Sequence, residues 1–250
     1  MNSVLVTGGA KRVGAAIARR LARGGWKVVI HHRDSAMEAD ALAAEIGALT
    51  LTADLADPEA AEALPARAAE MLGAPLSAVV NNASVFEYNT AATFKVEDWR
   101  RDQTVNLLSP VLIARAFARL LPHGRSGAVV NLIDQKVWNL NTDFFSYTIS
   151  KIGLEGATRM LARALAPSVR VNGVAPGLTL PNQWQTDEEF KTVAAAHNIL
   201  KRPIDIGAIA GAVAFLVEND AVTGQTLIVD NGEHLVPAAR DIGYAPKETP

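Results

Sequence analysis

This sequence predicts a doubly wound α/β fold: one domain over residues 1–250, with a parallel sheet of about seven strands covered by helices on both faces. Three observations carry that prediction. Short apolar runs alternate with amphipathic stretches from the first residues onward, joined by brief connections. A glycine cluster, Thr7-Gly8-Gly9 followed by Gly14, stands between the first apolar run and the first helical pattern. A chain of 250 residues with 49% hydrophobic content can bury one large core, and no repeat, low-complexity linker or second-domain boundary interrupts it.

In order, Ser3–Thr7 is the first strand, and an Ala/Arg-rich helix follows the glycine loop to about Arg23, where Gly24-Gly25 stops it. Lys27–His31 is the second strand, about Ser35 to Ile46 a helix, and Ala48–Thr52 the third strand. Asp57-Pro58 supplies an N-cap and a first helical position. Ser77–Val80 is the next strand, ending at Asn81-Asn82, and helical patterns run near Val96–Leu121. Ala128–Ile133 has the unbroken apolar character of a buried strand and leads to Asp134. The amphipathic stretch beginning at Tyr147 is a helix to Ala166, Ser168–Val174 a strand, and Gln225–Val229 the last strand. Gly177 to about Asn198 and the tail after Gly232 show no assignable pattern.

Composition narrows the function classes. A net charge of −2 and a pI of about 6.2 give no argument for nucleic acid or an anionic membrane surface. With no cysteine there is neither a disulfide framework nor a thiolate metal site, and no metal is expected. The N-terminus shows no signal peptide and no long apolar run crosses a membrane, so a soluble cytoplasmic protein is expected.

The chemistry concentrates between Asp134 and Lys151. Tyr147 and Lys151 are four apart at the start of a helix and share a face about one turn apart. An ammonium there would lower the phenol's pKa and make it a proton donor near neutral pH. An isolated pair of this kind reads more readily as a surface tyrosine beside a solvated lysine. Asp134 sits where its strand ends, and the carboxyl end of a parallel strand is where ligands bind. The glycine loop lies where a dinucleotide pyrophosphate would meet a helix N-terminus, though an ordinary glycine turn has the same composition.

Thr7-Gly8-Gly9…Gly14, Asn81-Asn82-Ala83, Asn106, Tyr147…Lys151, Pro176-Gly177 and Val229-Asp230-Asn231-Gly232 occur in the order and spacing of the short-chain dehydrogenase/reductase family, which the chain resembles to about Gly232. The resemblance implies a Rossmann fold, a nicotinamide cofactor and a homotetramer packed through the Tyr147 helix, whose stripe Leu154, Ala157, Leu161, Ala164 and Leu165 suits that or burial on its own sheet. It implies that Asn81 and Ala83 hold the nicotinamide half and its strand. It further implies that Asn106 supports a relay water, Tyr147 is the acid, and Lys151 binds the ribose and tunes the tyrosine. Gly8, Val13, Pro176 and Gly177 join the cofactor set, and Asp54-Leu55 fits the adenine contact.

Two departures narrow the reading. Asp134 stands where the family has a serine, and adjacent Ser146 cannot fill that place; Arg12 replaces the middle loop glycine. Both resemble the pteridine reductases, whose substrate set here would be Arg12, Ser84, Phe86, Asp134 and Tyr147, with Phe86 stacking on the pterin. At the end of the second strand, where an NAD enzyme usually carries a carboxylate, stand His32 and Arg33, with Lys11, Arg12 and Ser35 nearby. Asp34 dissents, turned outward or capping the next helix. The expected function is NADPH-dependent reduction of a dihydropterin or dihydrofolate. The alternatives are an unrelated ketone or aldehyde substrate, or a nucleotide sensor without turnover. The substrate loop is expected near 177–198. The tail, 233–250, is expected either free or swapped into a neighbouring pocket with Arg240 at its substrate edge.

Overall fold

A computed structural model describes residues 2–181 and 186–241. Seven strands, all paired in parallel, form one sheet: β1 (Ser3–Val6), β2 (Lys27–His32), β3 (Leu49–Thr52), β4 (Ala78–Asn81), β5 (Gly127–Leu132), β6 (Val169–Pro176) and β7 (Thr226–Val229). Their order is β3-β2-β1-β4-β5-β6-β7, so the winding reverses between β1 and β4. That reversal opens a crevice at the carboxyl ends of the strands.

The central strands are apolar on both sides because both sides are covered. Along β1, Val4 and Val6 face one core while Leu5 faces the other, the period-two alternation of a pleated strand. Helices α1 (Arg12–Arg23), α2 (Ala36–Ile46) and α8 (Ile206–Glu218) cover the first face. The second is covered by α3 (Pro58–Leu72), α5 (Ser109–Leu120) and part of α6 (Phe145–Ala164). Asp57 caps α3 as the sequence predicts, its side chain accepting from the Glu59 N–H.

One helix, α7 (Asp187–Ala196), opened by a Thr186/Glu189 capping box, arises within the stretch that shows no assignable pattern, and a second, α8, lies between that stretch and the last strand, where the sequence reading placed no element. The stretch near Val96–Leu121 is α4 (Val96–Gln103), a π-helical turn over Thr104–Leu108, then α5. Of the α6 stripe, Leu154 is buried and Leu161 and Leu165 pack on the second face, while Ala164 is exposed. Among the described residues no helix is long and apolar enough to cross a membrane.

Candidate active site

Two adjoining cavities occupy the crevice. The smaller, about 400 Å³, is lined by Gly8, Lys11, Arg12, Val13, Gly14, His32, Arg33, Ser35, Asp54, Leu55 and Ala83, among others. The larger, about 720 Å³, is lined by Asp134, Tyr147, Lys151, Phe86, Pro176 and Gly177, and shares Arg12, Val13, Asn82 and Ser84 with the first. The two halves of the sequence pattern, glycine loop and Tyr/Lys helix, therefore meet in one continuous cleft.

The glycine loop is held by packing that excludes side chains. A Cβ on Gly14 would lie 2.2 Å from the Gly8 carbonyl oxygen, and Gly8 itself has φ of +58°. Asn82 donates from its carboxamide to the Thr7 and Gly8 carbonyls at 2.9 Å each, while Thr7 Oγ1 accepts from the N–H groups of Asn82 and Ala83. Asn82 is thus the loop's brace. Asn81, expected at the cofactor, is not a lining residue: its side chain donates to Asn131 Oδ1 and the Pro110 carbonyl inside the second core. Strand alternation turns adjacent asparagines to opposite surroundings.

His31 couples the loop to the sheet. Gly8 N–H donates to its Nδ1 at 3.2 Å, leaving Nε2 to donate to the Ala53 carbonyl at 3.1 Å. Burial lowers its pKa to about 4. The unfolded chain, with an ordinary value near 6.5, takes up the proton first, so stability is complete above about pH 6.5 and declines toward pH 4. The loss by pH 4 is roughly 3 kcal/mol. Urea unfolding of wild type and His31→Gln at pH 4.5 and 7 checks this: the variant is expected to start lower at pH 7 and lose less on acidification.

At the larger cavity, β5 delivers Asp134 and the first turn of α6 delivers Tyr147. The Tyr147 hydroxyl donates to Asp134 Oδ2 at 2.7 Å, while Asp134 Oδ1 accepts from the Lys136 N–H at 2.8 Å. Lys151 Nζ donates to the Leu132 carbonyl at 2.8 Å and lies 5.5 Å from the Tyr147 ring centre. Burial, then Asp134, raises the Tyr147 pKa well above 10; burial likewise raises that of Asp134 and lowers that of Lys151 to about 8. The sequence expectation of a phenol acidified by lysine is reversed here, because desolvation and the carboxylate outweigh an ammonium that is itself desolvated.

Asn106 is fully buried in the π turn. It accepts from Ser84 Oγ and Val85 N–H and donates to the Val85 carbonyl and Ser150 Oγ. Its carboxamide thereby positions the Ser84 segment beside the cleft. Ser146 points away from the cleft, into a buried network with Asp102 and Asn89.

Phe86 is half exposed and stacks on Phe144, with ring centres 3.9 Å apart and planes 12° apart; Tyr147 meets it edge-on. Phe144, in a left-handed backbone conformation at φ +54°, is a backing residue the sequence reading missed. So is Glu233, whose carboxylate accepts from the Leu178 N–H and Gln135 Nε2 and whose pKa burial raises to about 7. An aromatic doublet before the Tyr147 helix and an acid after the last strand were the available signals.

The described part of the tail, to Asp241, lines this chain's own pocket through Ala238, Arg240 and Asp241. Arg240 donates to both carboxylate oxygens of Asp143 at 2.8 and 2.9 Å, and Asp241 pairs with buried Lys136 at 2.9 Å. Arg240 lowers the Asp143 pKa. Ile242 and Tyr244, apolar residues further along the tail, lie outside the described residues. Deleting residues from Pro237 onward is expected to raise the substrate KM about tenfold, the equivalent of roughly 1.4 kcal/mol, while cofactor affinity stays unchanged; steady-state kinetics and a cofactor titration check it.

Comparison with known proteins agrees with this geometry. The family model described as enoyl-(acyl carrier protein) reductase matches residues 8–234. The crystal structure of FolM alternative dihydrofolate reductase 1 from Brucella canis, complexed with NADP, is 40% identical, with a TM-score of 0.87 and 94% of each chain covered. A short-chain dehydrogenase from Burkholderia cenocepacia in complex with NADP is 32% identical, with a TM-score of 0.86, covering 93% of this chain and 97% of that one. The dihydromonapterin reductase of Citrobacter koseri is 30% identical over 234 residues, 93% of this chain and 96% of that protein. A granaticin polyketide synthase putative ketoacyl reductase 2 from Streptomyces violaceoruber is 32% identical over 240 residues, 93% and 96%. With its parallel sheet, braced glycine loop and Tyr147/Lys151 pair in one cleft, the chain belongs to the short-chain dehydrogenase/reductase family.

Proposed function

We propose that this protein is an NADPH-dependent reductase of a dihydropterin or dihydrofolate. The observation that carries the reading is the Tyr147–Asp134 hydrogen bond at the foot of a cavity walled by the half-exposed ring of Phe86. A carboxyl in that place suits protonation of a ring nitrogen, and a half-exposed aromatic ring suits a flat heterocycle.

The smaller cavity fits NADP in its chemistry. Helix α1 opens at the glycine loop with no acid in its first turn, as a pyrophosphate requires. Lys11, Arg12 and Arg33 line the cavity, and His32 Nδ1 is buried without a partner. When bound, NADPH supplies the hydride. Lys151 would hold the ribose, Phe86 would stack the substrate ring, and Ser84 and Arg12 would orient its edge. Tyr147 would pass its proton to the nitrogen next to the reduced carbon, and Asp134, having taken up a proton from solvent, would restore it; the two titrate as a coupled pair.

The relatives named as a dihydromonapterin reductase and an alternative dihydrofolate reductase support this substrate class, while the ketoacyl reductase relative keeps a carbonyl substrate in the comparison. NADPH consumption with dihydrobiopterin, dihydromonapterin and dihydrofolate, against a panel of ketones and β-ketoacyl thioesters, decides. Turnover of carbonyls alone would sink the pterin reading, and cofactor binding without turnover of any of them would mark a sensor. The reading includes a homotetramer, supported by the outward Ile152 and Met160 of α6 and tested by sedimentation.

A further inference from the structure

The cations of the smaller cavity are already engaged. Lys11 Nζ lies 2.6 Å from Glu38 Oε1, and Arg33 Nε lies 2.5 Å from Asp34 Oδ2. Asp34 itself lines the cavity; Glu38 stands in the first turn of α2, whose N-cap, Ser35, is also a lining residue. Asp34 does not cap that helix: its side chain is 71% exposed and is turned to Arg33. Two of the three lining cations, Lys11 and Arg33, therefore each face a carboxylate, and Asp54 lines the same cavity as a further acid.

A phosphate monoester brings nearly two negative charges to such a site. It gains Coulomb energy from the cations only as far as they are released from, or shared with, their carboxylates. The carboxylates also repel it directly at a separation within one screening length. The uncharged ribose hydroxyls of NADH meet no such opposition. We propose that Asp34 and Glu38 are specificity-determining counterions: they compete with the cofactor's 2′-phosphate for Arg33 and Lys11 and hold the NADPH affinity, and its margin over NADH, below what the three cations alone would give. The inference rests on the NADPH reading above.

The test is a tryptophan-fluorescence titration of the whole protein with NADPH and with NADH, comparing wild type with Asp34→Asn, Glu38→Gln and the double variant. Both acids are about half exposed or more, so neither substitution opens the core. The double variant is expected to bind NADPH about tenfold more tightly and NADH within twofold of wild type, as two screened repulsions of about threefold each combine. The gain should shrink in 0.5 M salt, as a screened effect must. Arg33→Met, in contrast, should weaken NADPH selectively. NADPH affinity unchanged or weaker in the double variant, or an equal gain for both cofactors, would overturn the inference. A wild type that does not prefer NADPH would instead overturn the cofactor reading on which it rests.

Discussion

Tyr147→Phe is expected to lower kcat by about 10²–10⁴-fold, the range of a lost general acid, with the NADPH dissociation constant changed less than twofold. The ring stays in its place against Phe86 and Lys151; only the proton is removed. The substitution also leaves Asp134 Oδ2 without its donor at 2.7 Å, an unsatisfied acceptor at the cavity wall that costs about 1–3 kcal/mol. A thermal shift accompanying the kinetic loss therefore belongs to the same event. Single-turnover rates and fluorescence titration of the variant check it, and retention of more than a few per cent of the wild-type rate would mean that another group delivers the proton.

Asp134→Ser tests the residue that departs from the family pattern. A serine hydroxyl is too short to accept from both Tyr147 and the Lys136 N–H, the two bonds the carboxylate makes. On the proposed function, pterin reduction is expected to fall at least about 10²-fold with the loss of the carboxyl, and weak turnover of simple ketones to appear. Asp134→Asn separates shape from charge: it keeps an acceptor for Tyr147 but has no titratable proton, and should fail on pterins as the serine variant does. Wild-type pterin turnover in either would remove Asp134 from the mechanism.

What was legible in the sequence is what local physics writes there. The alternation of apolar runs gives the strand and helix order because burial on both faces of a parallel sheet requires it. The four-residue spacing of Tyr147 and Lys151 specifies a shared helical face by geometry alone, and Gly14 marks a backbone approach no side chain could survive. The element reading failed where composition hid the period, as in the small residues of α8 and the capped α7.

Only the tertiary structure decided which of two adjacent asparagines braces the loop, that Arg240 closes on Asp143 from nearly a hundred residues away, and that Phe144 backs Phe86. It also reversed the sign of the Tyr147 shift. The physical reason is common to all four. Periodicity and spacing are properties of a segment, whereas desolvation, ion pairing and ring stacking depend on which segments the sheet brings together, and a pKa is set by that whole environment.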